Sequence, residues 1–254
     1  TKTFTEANPC QNSYSVAKVF CVHAVGILVD RQLLSESDRL TEVLKDEIDF
    51  DYESDWDKVT LKNLLTHKSG LQTDCLDIDN NDASTFGDDF LKRALQTPLT
   101  SEPDEEEFYT DAAYYLIARM VEATTGKTLN AFLYDELFAP TAFREVAWST
   151  DPQGHTLGGT GLYVRTEDMA KLGVIYANGG VLNGRQYISS EWIRAVLQNG
   201  YEFRPLNGAD GWYGKFGMNG QLLAFNPRTR ETLAWHGYGN FGDELIDALV
   251  SCGK

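Results

Sequence analysis

The sequence predicts an α+β fold in which a helical body is followed by a small antiparallel sheet. Two observations carry this. Between Ser15 and Gly200, apolar runs are bounded by helix caps and stops, whereas from Trp212 to His236 short strand-like runs are separated by turn residues. At 254 residues the chain is long enough to bury a sizeable core, and it is read as one unit over 1–254, with a helical lobe over about 15–200 and a strand region over about 201–254.

Ser15 to about Gln32 reads as a buried helix, because the apolar run is interrupted only by Lys18 and His23. Leu33–Asp38 is a turn into an acidic, helix-rich stretch. Thr60–Leu65 starts like a helix, and Gly70 in His67-Lys68-Ser69-Gly70 suits the residue just beyond its end. Residues 74–87 are a polar loop and 88–95 a short helix. Thr97–Glu107 is an extended acidic loop with two prolines. Asp111–Thr124 is a strong helix closed by Gly126, and Thr166–Ala177 another, with acids in its first turn. Ser189 or Ser190 caps a helix that ends at Asn199-Gly200. Trp212–Met218, Gln221–Asn226 and Glu231–His236 are strands, with Pro227–Arg230 as a turn. Gly239-Asn240-Phe241-Gly242 leads into a last helix over Asp243–Val250.

Composition excludes several function classes. A formal net charge of −16 disfavours nucleic-acid binding, which needs clustered Lys and Arg. No apolar run is long enough to span a bilayer, and the N-terminus lacks the basic start and apolar core of a signal peptide. The four cysteines form no C-x-x-C pair and the four histidines no H-E-x-x-H, so no metal site is expected. A single disulfide through Cys10 or Cys75 stays open.

Chemistry enters at Ser15-Val16-Ala17-Lys18. Residues at i and i+3 share a helix face, so hydroxyl and amine point the same way from a first turn whose free N–H groups favour negative charge. A serine becomes a nucleophile when a base lies beside it, and a lysine in a partly dry site can serve as one. The same spacing also fits a helix cap and a solvated lysine. Phe108-Tyr109-Thr110-Asp111 at the mouth of a helix adds a second titratable group, and Lys215-Phe216-Gly217 on the first C-terminal strand adds a cationic strand edge.

With these three stretches in this order, the chain resembles the serine β-lactamase and penicillin-binding-protein superfamily. It looks most like the branch of class C β-lactamases, D-alanyl-D-alanine carboxypeptidases and related esterases. Tyr109-Thr110-Asp111 takes the place of that branch's Y-x-N, and Lys215-Phe216-Gly217 the place of K-T-G. Ala24–Asp30, Leu64–Leu71, Gly158–Leu162, Glu167–Leu172 and Gly179-Gly180 agree as well, so the likeness covers roughly residues 13–227.

The resemblance implies a β-lactamase-like catalytic unit that needs no cofactor and acts on a small-molecule or peptide substrate. Ser15 would form an acyl-enzyme, with Lys18 and Tyr109 sharing the base role. Asp111, Lys215, Gly217 and Met218 would line the substrate and oxyanion region, the oxyanion lying between the N–H groups of Ser15 and Met218. Losing one such donor typically costs on the order of 3 kcal/mol. Three departures matter. Asp111 offers an acceptor where an amide would donate. Phe216 lacks a hydroxyl to hold a β-lactam carboxylate, which tilts the reading from β-lactamase towards esterase or peptidase. The family also has two sheet strands upstream of the serine, so a sheet short of those strands is expected, with strand addition or homo-oligomerisation at an uncovered edge. The competing readings are a non-catalytic, penicillin-recognising or sensing domain of the same fold, and an interaction module built on the acidic surface.

Overall fold

The structure, a computed structural model, describes residues 9–72, 74–239 and 242–252. In chain order it contains β1 (Gln11–Asn12), α1 (Ala17–Asp30), α2 (Leu40–Val43), α3 (Leu61–Leu65), α4 (Phe90–Leu95), α5 (Asp111–Thr125) and α6 (Leu129–Leu133). Next come β2 (Val146–Trp148), β3 (Leu162–Val164), α7 (Thr166–Ala177), β4 (Val181–Leu182), β5 (Arg185–Gln186) and α8 (Ser190–Asn199). The last part holds β6 (Arg204–Pro205), β7 (Tyr213–Gly217), β8 (Gln221–Asn226), β9 (Glu231–Trp235) and α9 (Gly242–Cys252). Asn240 and Phe241, read above as the lead-in to the last helix, lie outside the described residues.

α1 is buried from Ala17 to Leu28, as a helix that is apolar all round must be. It packs on α5, α6 and α8. Local chemistry sets the helix ends. Thr60 and Asn63 form a reciprocal capping box on α3, the Thr110 hydroxyl accepts from Ala112 N at the start of α5, and Ser189, not Ser190, caps α8. Gly126 and Gly200 close α5 and α8 in the left-handed region.

The end of α3 differs from the sequence reading. Thr66 is its last half-helical residue, and His67, at φ 58°, makes the left-handed step. Gly70 serves another purpose: a Cβ there would sit 2.2 Å from the Ser101 carbonyl oxygen, so only glycine lets the two loops touch.

Two sheets position the site. The antiparallel sheet β6-β7-β8-β9 pairs Lys215 with Leu223 and Gly217 with Gln221, and α7 packs on β8 and β9. Among the described residues, β9 pairs with no strand beyond β8. A second sheet, β1-β3-β2, pins the chain just before the serine: Gln11 pairs with Val164, and Ser13 N–H donates to Leu162 O at 2.8 Å. The sequence reading left the elements of this stretch, α6, β2 and β3, unassigned.

Candidate active site

Ser15 sits in a 3-10 turn, Tyr14–Val16, that runs directly into α1. The step before it is strained: Tyr14 holds φ 45°, a conformation rare outside glycine, asparagine and aspartate, while its N–H donates to Asn12 Oδ1 at 2.9 Å. β1 on one side and α1 on the other therefore fix the serine between them.

Lys18, one helical turn on, is 0% exposed. Its Nζ donates to Ser15 Oγ at 3.2 Å, to Gly159 O at 2.8 Å and to Asp111 Oδ1, which accounts for all three ammonium hydrogens. Burial alone would pull this amine's pKa down, but the charges of Asp111 and Tyr109 outweigh burial and hold it well above the ordinary lysine value. Lys18 is thus a standing ammonium. Asp111, first residue of α5, reaches it because the N-terminus of that helix faces the start of α1.

From the sheet side, Lys215 on β7 donates to Tyr109 Oη at 2.9 Å and lies 4.5 Å from that ring's centre. Lys18 Nζ lies 4.8 Å from the same ring. Tyr109 is therefore flanked by an ammonium from each layer. Ser15, Lys18, Tyr109, Asp111 and Lys215 occupy one locality. Gly217, at the end of β7, is what lets the strand come this close: a Cβ there would stand 2.6 Å from Ser13 O. Met218 follows it and, like Phe216 before it, is exposed.

Two residues at this site escaped the sequence reading. Glu202, 5% exposed, ion-pairs with Lys215 and bonds His67 Nε2 at 2.7 Å. His67 in turn accepts from Thr110 N at 3.3 Å through Nδ1, which leaves its Nε2 proton for Glu202, and its ring lies 4.5 Å from that of Tyr109. Burial would raise the carboxyl pKa of Glu202, but Lys215 and His67 hold it far below the usual range. The only sequence signal was an acid set between two aromatics, Tyr201 and Phe203, which are both fully buried.

A cavity of about 560 Å³ opens beside Tyr109, Lys215 and Phe216, with Arg204 and Ile246 in its wall. A second, of about 630 Å³, is lined by Asn12, Asp79, Thr160 and Tyr163. Cys10, Cys21 and Cys75 are free thiols. Among the described residues no cluster of His, Cys, Asp and Glu could hold a metal ion, and no helix is long and apolar enough to cross a membrane.

A helical layer closed over an antiparallel sheet, with a Ser-x-x-Lys pair at the seam, is a β-lactamase-like architecture. The chain belongs to the Beta-lactamase family, whose sequence model matches residues 10–243. It is 26% identical over 209 residues to the 6-aminohexanoate-dimer hydrolase of Paenarthrobacter ureafaciens, covering 73% of this chain and 50% of that protein. The chain spans about half the length of the curated relatives it matches over most of its own length. Its fold is similar to that of a penicillin-binding protein homologue from Caulobacter crescentus, with TM-score 0.74, 16% identity, and coverage of 97% of this chain and 83% of that one. It is similar also to a family VIII carboxylesterase, with TM-score 0.75, 18% identity, and coverage of 97% and 84%.

Proposed function

We propose that the protein is a serine hydrolase in which Ser15 Oγ attacks the carbonyl of an ester, peptide or other open-chain amide and carries the acyl group. The observation that supports this above others is the 3.2 Å contact of Ser15 Oγ with Lys18 Nζ, next to a tyrosine held between two ammonium groups. An ammonium has no lone pair to accept a proton, so the base role falls to Tyr109 rather than being shared with Lys18. Lys18 orients the serine oxygen and stabilises charge on it. As the Oγ–C bond forms, the Ser15 proton passes to Tyr109 Oη, the oxygen to which the Lys215 ammonium donates at 2.9 Å. Tyr109 then returns that proton to the departing alkoxide or amine as the C–O or C–N bond breaks. The N–H groups of Ser15 and Met218 receive the oxyanion. Water then adds to the acyl carbon as Tyr109 takes its proton, and Tyr109 passes that proton to Ser15 Oγ as the Oγ–C bond breaks, which releases the acid and restores the serine.

The substrate class follows from what the site offers. Asp111 is occupied by Lys18 and has no hydrogen to give a substrate amide, and Phe216 has no hydroxyl for a β-lactam carboxylate. Both weigh against β-lactams. The names of similar proteins, a 6-aminohexanoate-dimer hydrolase and a family VIII carboxylesterase, support a hydrolase reading. A fluorophosphonate is expected to label Ser15 and a p-nitrophenyl ester to be turned over, with both lost in Ser15→Ala. A folded protein that takes no label would instead make this a non-catalytic recognition domain.

A further inference from the structure

We infer that Glu202 is a positioning residue for the proposed reaction, acting through Lys215 to hold the ammonium against the Tyr109 hydroxyl. This rests on the hydrolase reading above and adds to it a residue outside the three family motifs. Glu202 is buried, and both its carboxylate oxygens are occupied: one by His67 Nε2 at 2.7 Å, the other by Lys215. Lys215 has its next contact at Tyr109 Oη, 2.9 Å away. His67 is itself fixed, since the Thr110 N–H donates to its other nitrogen and its ring lies against Tyr109. The chain Thr110–His67–Glu202–Lys215–Tyr109 thus leaves and re-enters the same segment of backbone, two residues that flank one peptide bond. A closed ring of this kind fixes where the ammonium sits relative to the phenol.

The backbone adds an independent sign. Glu202 sits at φ 62°, a left-handed position that costs free energy, whereas the φ of 58° at His67 is the step that ends α3. Simple packing needs neither strain nor a buried acid, whereas an aimed carboxylate explains both. The charged or titratable groups facing Glu202 are His67, Lys215, Lys18, Tyr114, Arg204 and Cys21. Arg204 is paired with Glu107 and Lys18 with Asp111, so Lys215 is the cation whose counter-charge Glu202 supplies.

The test is the rate of fluorophosphonate labelling of Ser15 across pH in wild type, Glu202→Gln, Lys215→Met and the double variant. Glutamine keeps the shape and the His67 bond but removes the charge. Labelling by Glu202→Gln is expected to slow roughly 10–100-fold, the size of effect that a misplacement of about 1 Å produces. The pH dependence of its labelling is expected to differ from wild type, because the buried negative charge behind the site has been removed. In the Lys215→Met background the same change is expected to cost nothing further. Should Glu202→Gln not fold, the comparison of Lys215→Met with the double variant still decides, since removing both buried charges together preserves folding better than removing one. An unchanged pH profile in Glu202→Gln, or an equal loss in both backgrounds, would overturn the role of Glu202 alone. A wild-type protein that takes no label would remove the hydrolase reading and this role with it.

Discussion

Lys18 and Lys215 approach the same tyrosine from opposite layers, and their surroundings differ. Lys18 rises from a helix that is buried all round, has no exposed surface, and spends its three hydrogens on Ser15, Gly159 and Asp111. Lys215 stands on a strand at the mouth of a cavity of about 560 Å³, with exposed Phe216 and Met218 beside it. The helical layer fixes Ser15, the proposed nucleophile, and the sheet layer faces the cavity. Geometry on one side is set by burial of an ion pair; on the other it depends on a carboxylate, Glu202, placed behind the ammonium.

That contrast can be broken most severely at Lys18. Lys18→Ala leaves the Asp111 carboxylate without its partner in the seam, which is expected to cost about 3–5 kcal/mol of stability. Ser15 labelling is expected to fall by about 10²–10³. Chemical denaturation and labelling rates read the two effects separately. A stable, fully active variant would show that Lys18 is only a packed side chain.

The join between layers is tested at Gly217. Gly217→Ala puts a methyl group 2.6 Å from the Ser13 oxygen, so strand and turn must part. The expected cost is about 1–3 kcal/mol, with ester turnover reduced by up to about 100-fold. A comparison with Gly179→Ala, where nothing lies within 4 Å of a new Cβ, separates crowding from backbone strain. Equal losses at the two sites would show that close approach at Gly217 is unimportant.

The smallest effect sharpens the picture of the helical layer. His23, on α1 beside Tyr176, is fully buried and, among the described residues, has no hydrogen-bond partner on either ring nitrogen; burial pushes its pKa down to about 3 from 6.5. A histidine depressed in the folded state stabilises the fold above pH 6.5, and that stability is lost as pH falls from 6.5 towards 3. His23→Leu is expected to raise stability near neutrality by about 1–2 kcal/mol and to flatten the acid side of the stability curve. Melting curves between neutral and mildly acidic pH check both. A destabilised variant, or an acid slope identical to wild type, would show that His23 is not the group being protonated.

Sequence alone carried most of what is local. Gly126, Gly200 and the Ser189-Ser190 pair mark their helix ends because cap chemistry acts within a few residues. The strands over 213–235 show their pattern, and the serine, tyrosine and lysine motifs lie at recognisable spacings. What stayed hidden depends on distant partners. Leu162–Val164 is a strand because Gln11–Asn12 and Val146–Trp148 pair with it, and three residues give no usable period. Gly70 looked like a helix stop because the loop that demands a glycine, at Ser101, is remote in sequence. Glu202 sits at a position where nothing adjacent signals chemistry; its meaning comes from His67 and Lys215, brought to it only by folding.

The saturated amine on α1 also bears on how the pocket could be drugged. An anionic warhead has no spare hydrogen to capture at Lys18, since each is already directed at a protein oxygen. Lys215 has two of its three contacts accounted for, with Glu202 and Tyr109. Inhibitor chemistry is therefore best grown from the sheet's cation outward.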